Sequence, residues 1–154
     1  MAKLNPYLNF GGNAEEAFNF YRSVFGGEFA GVLRWKDMPK EGCEGGGDGE
    51  HKLAEADGEK IMHIALPVGD GNILMASDSL EGFGPPLAVG NNFYIAIAPE
   101  SKEEADRLFG ELSAGGTVEM PMADAFWGGY FGSFKDKFGI GWLINYDTAQ
   151  ATEA

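Results

Sequence analysis

The sequence predicts an α+β protein built from one unit used twice: a strand, a helix, then several strands. Three observations carry that prediction. Asn13-Ala-Glu-Glu-Ala-Phe-Asn-Phe-Tyr21 is echoed by Ser101-Lys-Glu-Glu-Ala-Asp-Arg-Leu-Phe109. In both, a residue suited to helix capping precedes an acidic pair placed where the helix dipole is positive. Ala17, Phe20 and Tyr21 match Ala105, Leu108 and Phe109, an apolar stripe at i, i+3, i+4. Each pattern then meets a glycine pair, Gly26-Gly27 or Gly115-Gly116, which can supply the left-handed residue that ends a helix. The 154 residues fit a single domain of two half-size modules. Module one is expected at 3–80, a linker at 81–90 and module two at 91–147.

In chain order, Leu4 to Phe10 alternates apolar and polar residues, the period of a half-buried strand. Pro6 lacks an N–H, so that strand is at an edge or starts irregularly. A helix is predicted over about 14–25, capped by Asn13, and a strand over 28–36. Residues 38–60 are rich in glycine and acids, and such a stretch loses too much entropy on ordering to be regular. A loop is expected, read either as a plain connection or as a lid over a site. Residues 60–68 read as a strong strand, Gly69-Asp-Gly-Asn72 as a hairpin turn, and 73–77 as the returning strand. Pro85-Pro86 lies in the connector. Module two repeats the order: a strand over 92–98, a helix to about Ser113, and strands over 117–122, 130–134 and 139–145.

Composition excludes several classes. A formal net charge of −13 opposes binding to nucleic-acid phosphates and to anionic membrane surfaces. No apolar run approaches the ~20 residues of a membrane span, and the N-terminus has no signal-peptide core. The single cysteine, Cys43, rules out an intramolecular disulfide and lacks the electropositive setting of a reactive thiol. A soluble, cytoplasmic protein is expected. No P-loop, dinucleotide-binding glycine turn, S-adenosylmethionine-binding opening or nucleophile elbow occurs, so no cofactor is expected.

The chemistry-bearing residues are few. His51 and His63 are the only histidines. His63, on a strand, reads as a structural histidine or as a pocket base whose pKa lies in the useful range. With no second histidine at a site spacing and no cysteine pair, a metal role is disfavoured. Glu28 and Glu119 lie in the two matching second strands and could face inward, with no partner evident in the sequence. Phe126-Trp-Gly-Gly-Tyr-Phe-Gly132 places four aromatics among three glycines. It reads either as core or as a wall that stacks on a flat ligand.

Taken together, Pro6-Tyr-Leu-Asn-Phe10, the first helix motif, Phe25-Gly-Gly27, Met62-His63, Asn72-Ile-Leu-Met-Ala-Ser-Asp78, Phe126-Trp-Gly128 and Asp136-Lys-Phe-Gly-Ile-Gly-Trp142 resemble the vicinal oxygen chelate superfamily. This is the glyoxalase/bleomycin resistance/extradiol dioxygenase fold, and the likeness is to its PhnB-like branch. The resemblance covers nearly the whole chain. It implies two βαβββ modules whose sheets form a cup around the site. It also implies metal ligands, His or Glu in the metal enzymes, near the first strand and in the last strand of each module. Those places fall here on Asn5 (or Pro6), Met75, Tyr94 and Leu143, none of them a usual divalent-metal donor set. Some relatives carry a 3-demethylubiquinone methyltransferase assignment, which no cofactor motif here supports.

The resemblance implies small-molecule binding in the cup. His63 is the candidate proton-transfer residue, and Asn5, Tyr7, Asn9, Met75, Ser77, Tyr94 and Trp127 are the candidate ligand contacts. The expected ligand is a small, apolar or aromatic molecule, held without metal, and the expected assembly is a homodimer. The alternatives are a lyase- or isomerase-type enzyme working through His63, and a metal-dependent enzyme with other ligands.

Overall fold

The computed structural model describes residues 2–37 and 55–148. Cys43, His51 and most of the glycine-rich stretch 38–60 lie outside the described residues. The chain forms two compact units that divide between Ala88 and Val89.

The first unit runs β1 (Tyr7–Phe10), α1 (Ala14–Phe25), β2 (Gly31–Arg34), β3 (Ile61–Val68), β4 (Asn72–Asp78). Its sheet has the order β1-β4-β3-β2. β1 lies parallel to β4, with Tyr7 opposite Met75 and Asn9 opposite Ser77; the other pairings are antiparallel. The second unit runs β5 (Ile95–Ile97), α2 (Lys102–Ser113), β6 (Thr117–Asp124), β7 (Gly129–Lys135), β8 (Gly141–Asp147). Its order, β5-β8-β7-β6, with β5 parallel to β8, repeats the first. Each unit is a βαβββ module, and the class is α+β as the sequence predicts.

Each helix covers one face of its sheet. Ala14, Ala17, Phe18 and Tyr21 of α1 are buried, with Leu8, Phe10, Ile64, Leu66, Leu74 and Ala76 supplying the buried strand positions. Each large side chain so buried contributes about 1.5–3 kcal/mol. The buried stripe is centred on Phe18, and Phe20 is only half-buried. In the second unit Ala105, Leu108 and Leu112 are buried together with Phe134, Trp142 and Ile144, and Phe109 meets Phe134 edge-on at 5.0 Å.

Several local expectations are corrected. The first strand begins at Tyr7, and Leu4 is 98% exposed; Pro6 contributes only its carbonyl, which accepts from the Met75 N–H. The strand expected over 28–36 is four residues long and passes into a 3₁₀ turn at Trp35–Asp37. A second 3₁₀ turn, Glu55–Asp57, ends the stretch expected as loop. The strand expected over 92–98 covers only Ile95–Ile97.

The cap of α1 differs in kind. Asn13 makes no side-chain capping bond. Asp78, at the end of β4, is buried beneath that helix start. Its Oδ1 accepts the N–H groups of Gly12 and Ala14 at 3.0 and 2.9 Å, and its Oδ2 accepts that of Ile61 at 2.8 Å. The parallel pairing that sets Phe10 opposite Asp78 delivers a full negative charge to the positive end of the helix. α2 is capped as expected: Ser101 Oγ accepts from Glu104 N–H at 3.1 Å. Gly115 takes the left-handed conformation after it, at φ 79°. Gly116 is needed for another reason, since a Cβ there would lie 2.1 Å from the Lys135 carbonyl oxygen.

Candidate functional site

Alternation along the strands sends one set of side chains toward each helix and the other set away from it. In the first unit the face away from α1 carries Tyr7 and Asn9 from β1, Met75 and Ser77 from β4, and His63 from β3. The register brings them together: Tyr7 is opposite Met75, Asn9 opposite Ser77, and His63 opposite Leu33 of β2. The Tyr7 and His63 rings stack at 5.9 Å between centroids and 27° between planes. The Tyr7 phenol lies 3.5 Å from His63 Nδ1, so a neutral imidazole protonated at Nε2 would take that proton as a long hydrogen bond. Ser77 Oγ donates to Asn9 Oδ1 at 3.3 Å. Asn5 stands apart from this group. It precedes β1, and its Oδ1 accepts the Ile73 N–H at 3.1 Å.

In the second unit the face away from α2 carries Phe131 of β7 and Leu143 and Asn145 of β8. Phe131 is opposite Asn145 in the register. Trp127, 57% exposed, stands over Gly129, where a Cβ would come within 2.6 Å of its Nε1. It meets Phe131 edge-on at 5.9 Å. The four aromatics of the 126–131 stretch therefore have separate fates. Phe126 is 98% exposed, Trp127 and Phe131 line the face away from α2, and Tyr130 donates to Asp106 of α2 at 2.6 Å.

The Tyr94 ring covers Gly141, where a Cβ would lie 2.9 Å from it. Its hydroxyl donates to Glu119 Oε2 at 2.6 Å. That hydrogen bond, then desolvation and the carboxylate's charge, hold the phenol's pKa above its ordinary value of 10.0. Glu119 thus has a partner that sequence reading did not find. Glu28 does not face inward: it is exposed and pairs with Arg22 at 2.8 Å.

Sequence reading did not single out Leu33 or Asn145, whereas Phe131 belongs to the aromatic cluster it named. Asn145 shares the parity of Leu143, and that signal places it on the same face. Among the described residues no three His, Cys, Asp or Glu side chains converge as a metal cluster. None of the helices there is long and apolar enough to cross a membrane.

The profile of the Glyoxalase/Bleomycin resistance protein/Dioxygenase superfamily matches residues 3–144 of the chain. The chain belongs to that superfamily. It is 29% identical to Protein YjdN of Escherichia coli (strain K12) over 150 residues, covering 97% of this chain and 99% of YjdN. Among solved structures, protein PA1353 from Pseudomonas aeruginosa is 36% identical with a TM-score of 0.80, covering 96% of this chain and 98% of that one. A PhnB protein from Bacillus cereus, provisionally described as a 3-demethylubiquinone-9 3-methyltransferase, is 26% identical. Its TM-score is 0.68, with 94% of this chain and 99% of that one covered.

The places at which the family resemblance puts metal ligands hold Asn5, Met75, Tyr94 and Leu143. Met75 and Leu143 offer a thioether and an alkyl chain. The Asn5 oxygen is engaged by a backbone N–H, and the Tyr94 hydroxyl by Glu119. Zinc, iron and nickel take imidazole or carboxylate before a thioether, a phenol or an alkyl group.

Proposed function

We propose that the chain binds a small, apolar or aromatic molecule against the sheet faces left uncovered by its helices. In this reading it holds the ligand by ring stacking and a few hydrogen bonds, without a transition metal or other cofactor. The observation that carries the reading is the makeup of those faces. On the face of the first unit the rings of Tyr7 and His63 stand with Asn9 and Ser77, and on that of the second Trp127 meets Phe131, in each case rings with few polar groups, the usual composition of a small-molecule site. The donor set at the family's metal places supports the metal-free part. We place the protein in the cytoplasm and read it as a homodimer, since isologous pairing is the common route to assembly and one edge strand of each sheet exposes apolar side chains, Val32 and Leu33 on β2, Val118 and Met120 on β6.

The test combines ligand-observed NMR against a set of aromatic fragments with elemental analysis of tag-free protein. Binding that Trp127→Ala weakens by about 1–3 kcal/mol supports the reading. Near one equivalent of zinc, nickel, manganese or iron per chain overturns its metal-free part. A monomer by light scattering at micromolar concentration removes the dimer.

A second reading is favoured by one contact, the stacked Tyr7–His63 pair. A ring nitrogen in contact with a phenol, on a face that would bear ligand, is suited to moving a proton in a lyase- or isomerase-type reaction. His63→Ala and His63→Gln would then abolish turnover and its pH dependence while leaving fragment binding in place.

A further inference from the structure

We infer that the face of the first sheet away from α1 takes an uncharged ring, and that protonation of His63 closes it to that ligand. The inference rests on the binding role proposed above and gives that site a ligand class and a control. Of the residues in β1–β4 only Arg34 and Asp78 carry a formal charge, in a chain that is 23% Asp, Glu, Lys and Arg. Both are engaged on the helix side. Arg34 Nη2 donates to Glu15 of α1, and Asp78 accepts the Ala14 N–H beneath the helix start. The strand positions of the opposite face are therefore free of fixed charge, although Tyr7 is 47% and Leu33 46% exposed. A sheet face open to water ordinarily carries polar and charged side chains.

A charged ligand gives up hydration on settling here and meets no counter-charge in return. An uncharged ring gives up little and gains the stacked rings of Tyr7 and His63. His63 is the one group on this face that can become a cation. Tyr7 from β1, Leu33 from β2, and Met75 and Ser77 from β4 share its face. The only other titratable group among them is the Tyr7 phenol. No carboxylate pairs with His63 among the described residues. Its imidazolium would stand unpaired beneath a ligand that shuts out water, so the neutral ring accepts the ligand and the protonated ring releases it. By linkage, bound ligand holds the proton off His63, and affinity falls as pH drops through the titration of the free histidine.

Benzyl alcohol, benzoate and benzylammonium, matched in ring and differing in charge, are the probes. They are titrated against the full chain and followed in the His63 ring and Met75 methyl NMR signals. At about pH 8 the alcohol is expected to bind about tenfold more tightly than either ion. The net charge of −13 attracts the cation, so a preference for the alcohol over benzylammonium comes from the face itself. On lowering the pH to about 5, alcohol affinity should fall about tenfold for each unit by which bound ligand lowers the His63 midpoint. His63→Gln should remove that fall. Leu33→Glu, opposite His63, supplies the missing counter-charge and should reverse the order of alcohol and benzylammonium. Equal or tighter binding of benzylammonium to the natural protein overturns the charge selection. Alcohol binding that ignores pH, or a fall that persists in His63→Gln, overturns the control by His63. Either result leaves the broader binding role standing. If none of the probes moves the His63 and Met75 signals, the inference falls, and the broader role falls with it where no aromatic fragment binds anywhere on the chain.

Discussion

In the first module the start of the helix rests on Asp78, 64 residues along the chain from the Ala14 N–H that it accepts. In the second the start of the helix rests on Ser101, three residues from the Glu104 N–H. The two sheets have the same strand order and the same parallel pairing of first strand with last. Topology was repeated and the polar anchoring was not. The second module has its own buried carboxylate, Asp136, in the turn between β7 and β8. Its Oδ1 accepts from Phe138 and Ile140 N–H at 2.8 and 3.1 Å, and its Oδ2 from Trp142 Nε1–H at 2.8 Å. Asp78 joins three segments distant in sequence; Asp136 organises one turn and the strand that leaves it. The same residue type thus serves as a long-range clasp in one module and as a local brace in the other.

Removing each anchor tests that contrast. Asp78→Ala is expected to have the largest effect, roughly 3–5 kcal/mol, because it orphans three backbone donors at about 1–3 kcal/mol each with some relaxation. Against a typical total of about 5–15 kcal/mol, that brings the chain close to unfolding, read as the urea midpoint. Asp136→Ala is expected to cost less, about 2–4 kcal/mol, since two of its three donors, the Phe138 and Ile140 N–H groups, lie in or beside one turn that can open toward water. An Asp136 effect larger than that of Asp78 would break the distinction between clasp and brace. Ser101→Ala should cost about 1 kcal/mol, the ordinary value of a lost N-cap. A loss at Ser101 comparable to that at Asp78 would show the two helix starts to be equivalent after all.

The same contrast marks how far the sequence can be read. Strand and helix positions were legible because they follow from periodicity and glycine punctuation, which are local. So was the grouping of Tyr7, Asn9, His63, Met75 and Ser77 on one face, since parity alone fixes the side of a sheet. Asp78 as a helix anchor was not legible. An acid at a strand end looks like a solvated acid until the parallel pairing sets it beneath Ala14, and Asn13 was the better local candidate. The partnership of Tyr94 with Glu119 escaped for the same reason: the two belong to opposite edge elements of the second sheet. Trp127 lies between strands, where parity has nothing to say. Its place over Gly129 follows from the turn that Gly128, at φ 92°, makes. The strand ends moved because pairing partners end them, as at Pro6 and at Ile97.

The smallest expected effect compares the modules at one matched place. Asn5 and Tyr94 each stand two residues before the first-strand residue that faces the last strand, Tyr7 opposite Met75 and Ala96 opposite Leu143. Asn5 accepts a backbone N–H, whereas Tyr94 donates to a carboxylate. Only the second arrangement titrates. Glu119 raises the Tyr94 pKa above 10.0, so the protonated phenol is favoured in the folded state. The stability it contributes is fully present below the unfolded pKa and is lost as pH rises through the higher folded pKa. Tyr130 is raised in the same direction by its hydrogen bond to Asp106. Alkaline titration followed by phenolate absorbance should therefore show Tyr94 and Tyr130 titrating late. Glu119→Gln should lower the Tyr94 transition and leave that of Tyr130, and Tyr94→Phe should delete the one that Glu119→Gln moves. Melting temperature at neutral pH should barely change in either variant, as expected for a pair exposed to solvent. If Glu119→Gln leaves the titration as it was, the Tyr94–Glu119 bond does not persist in solution. The second module would then hold its matched place open, as the first does not.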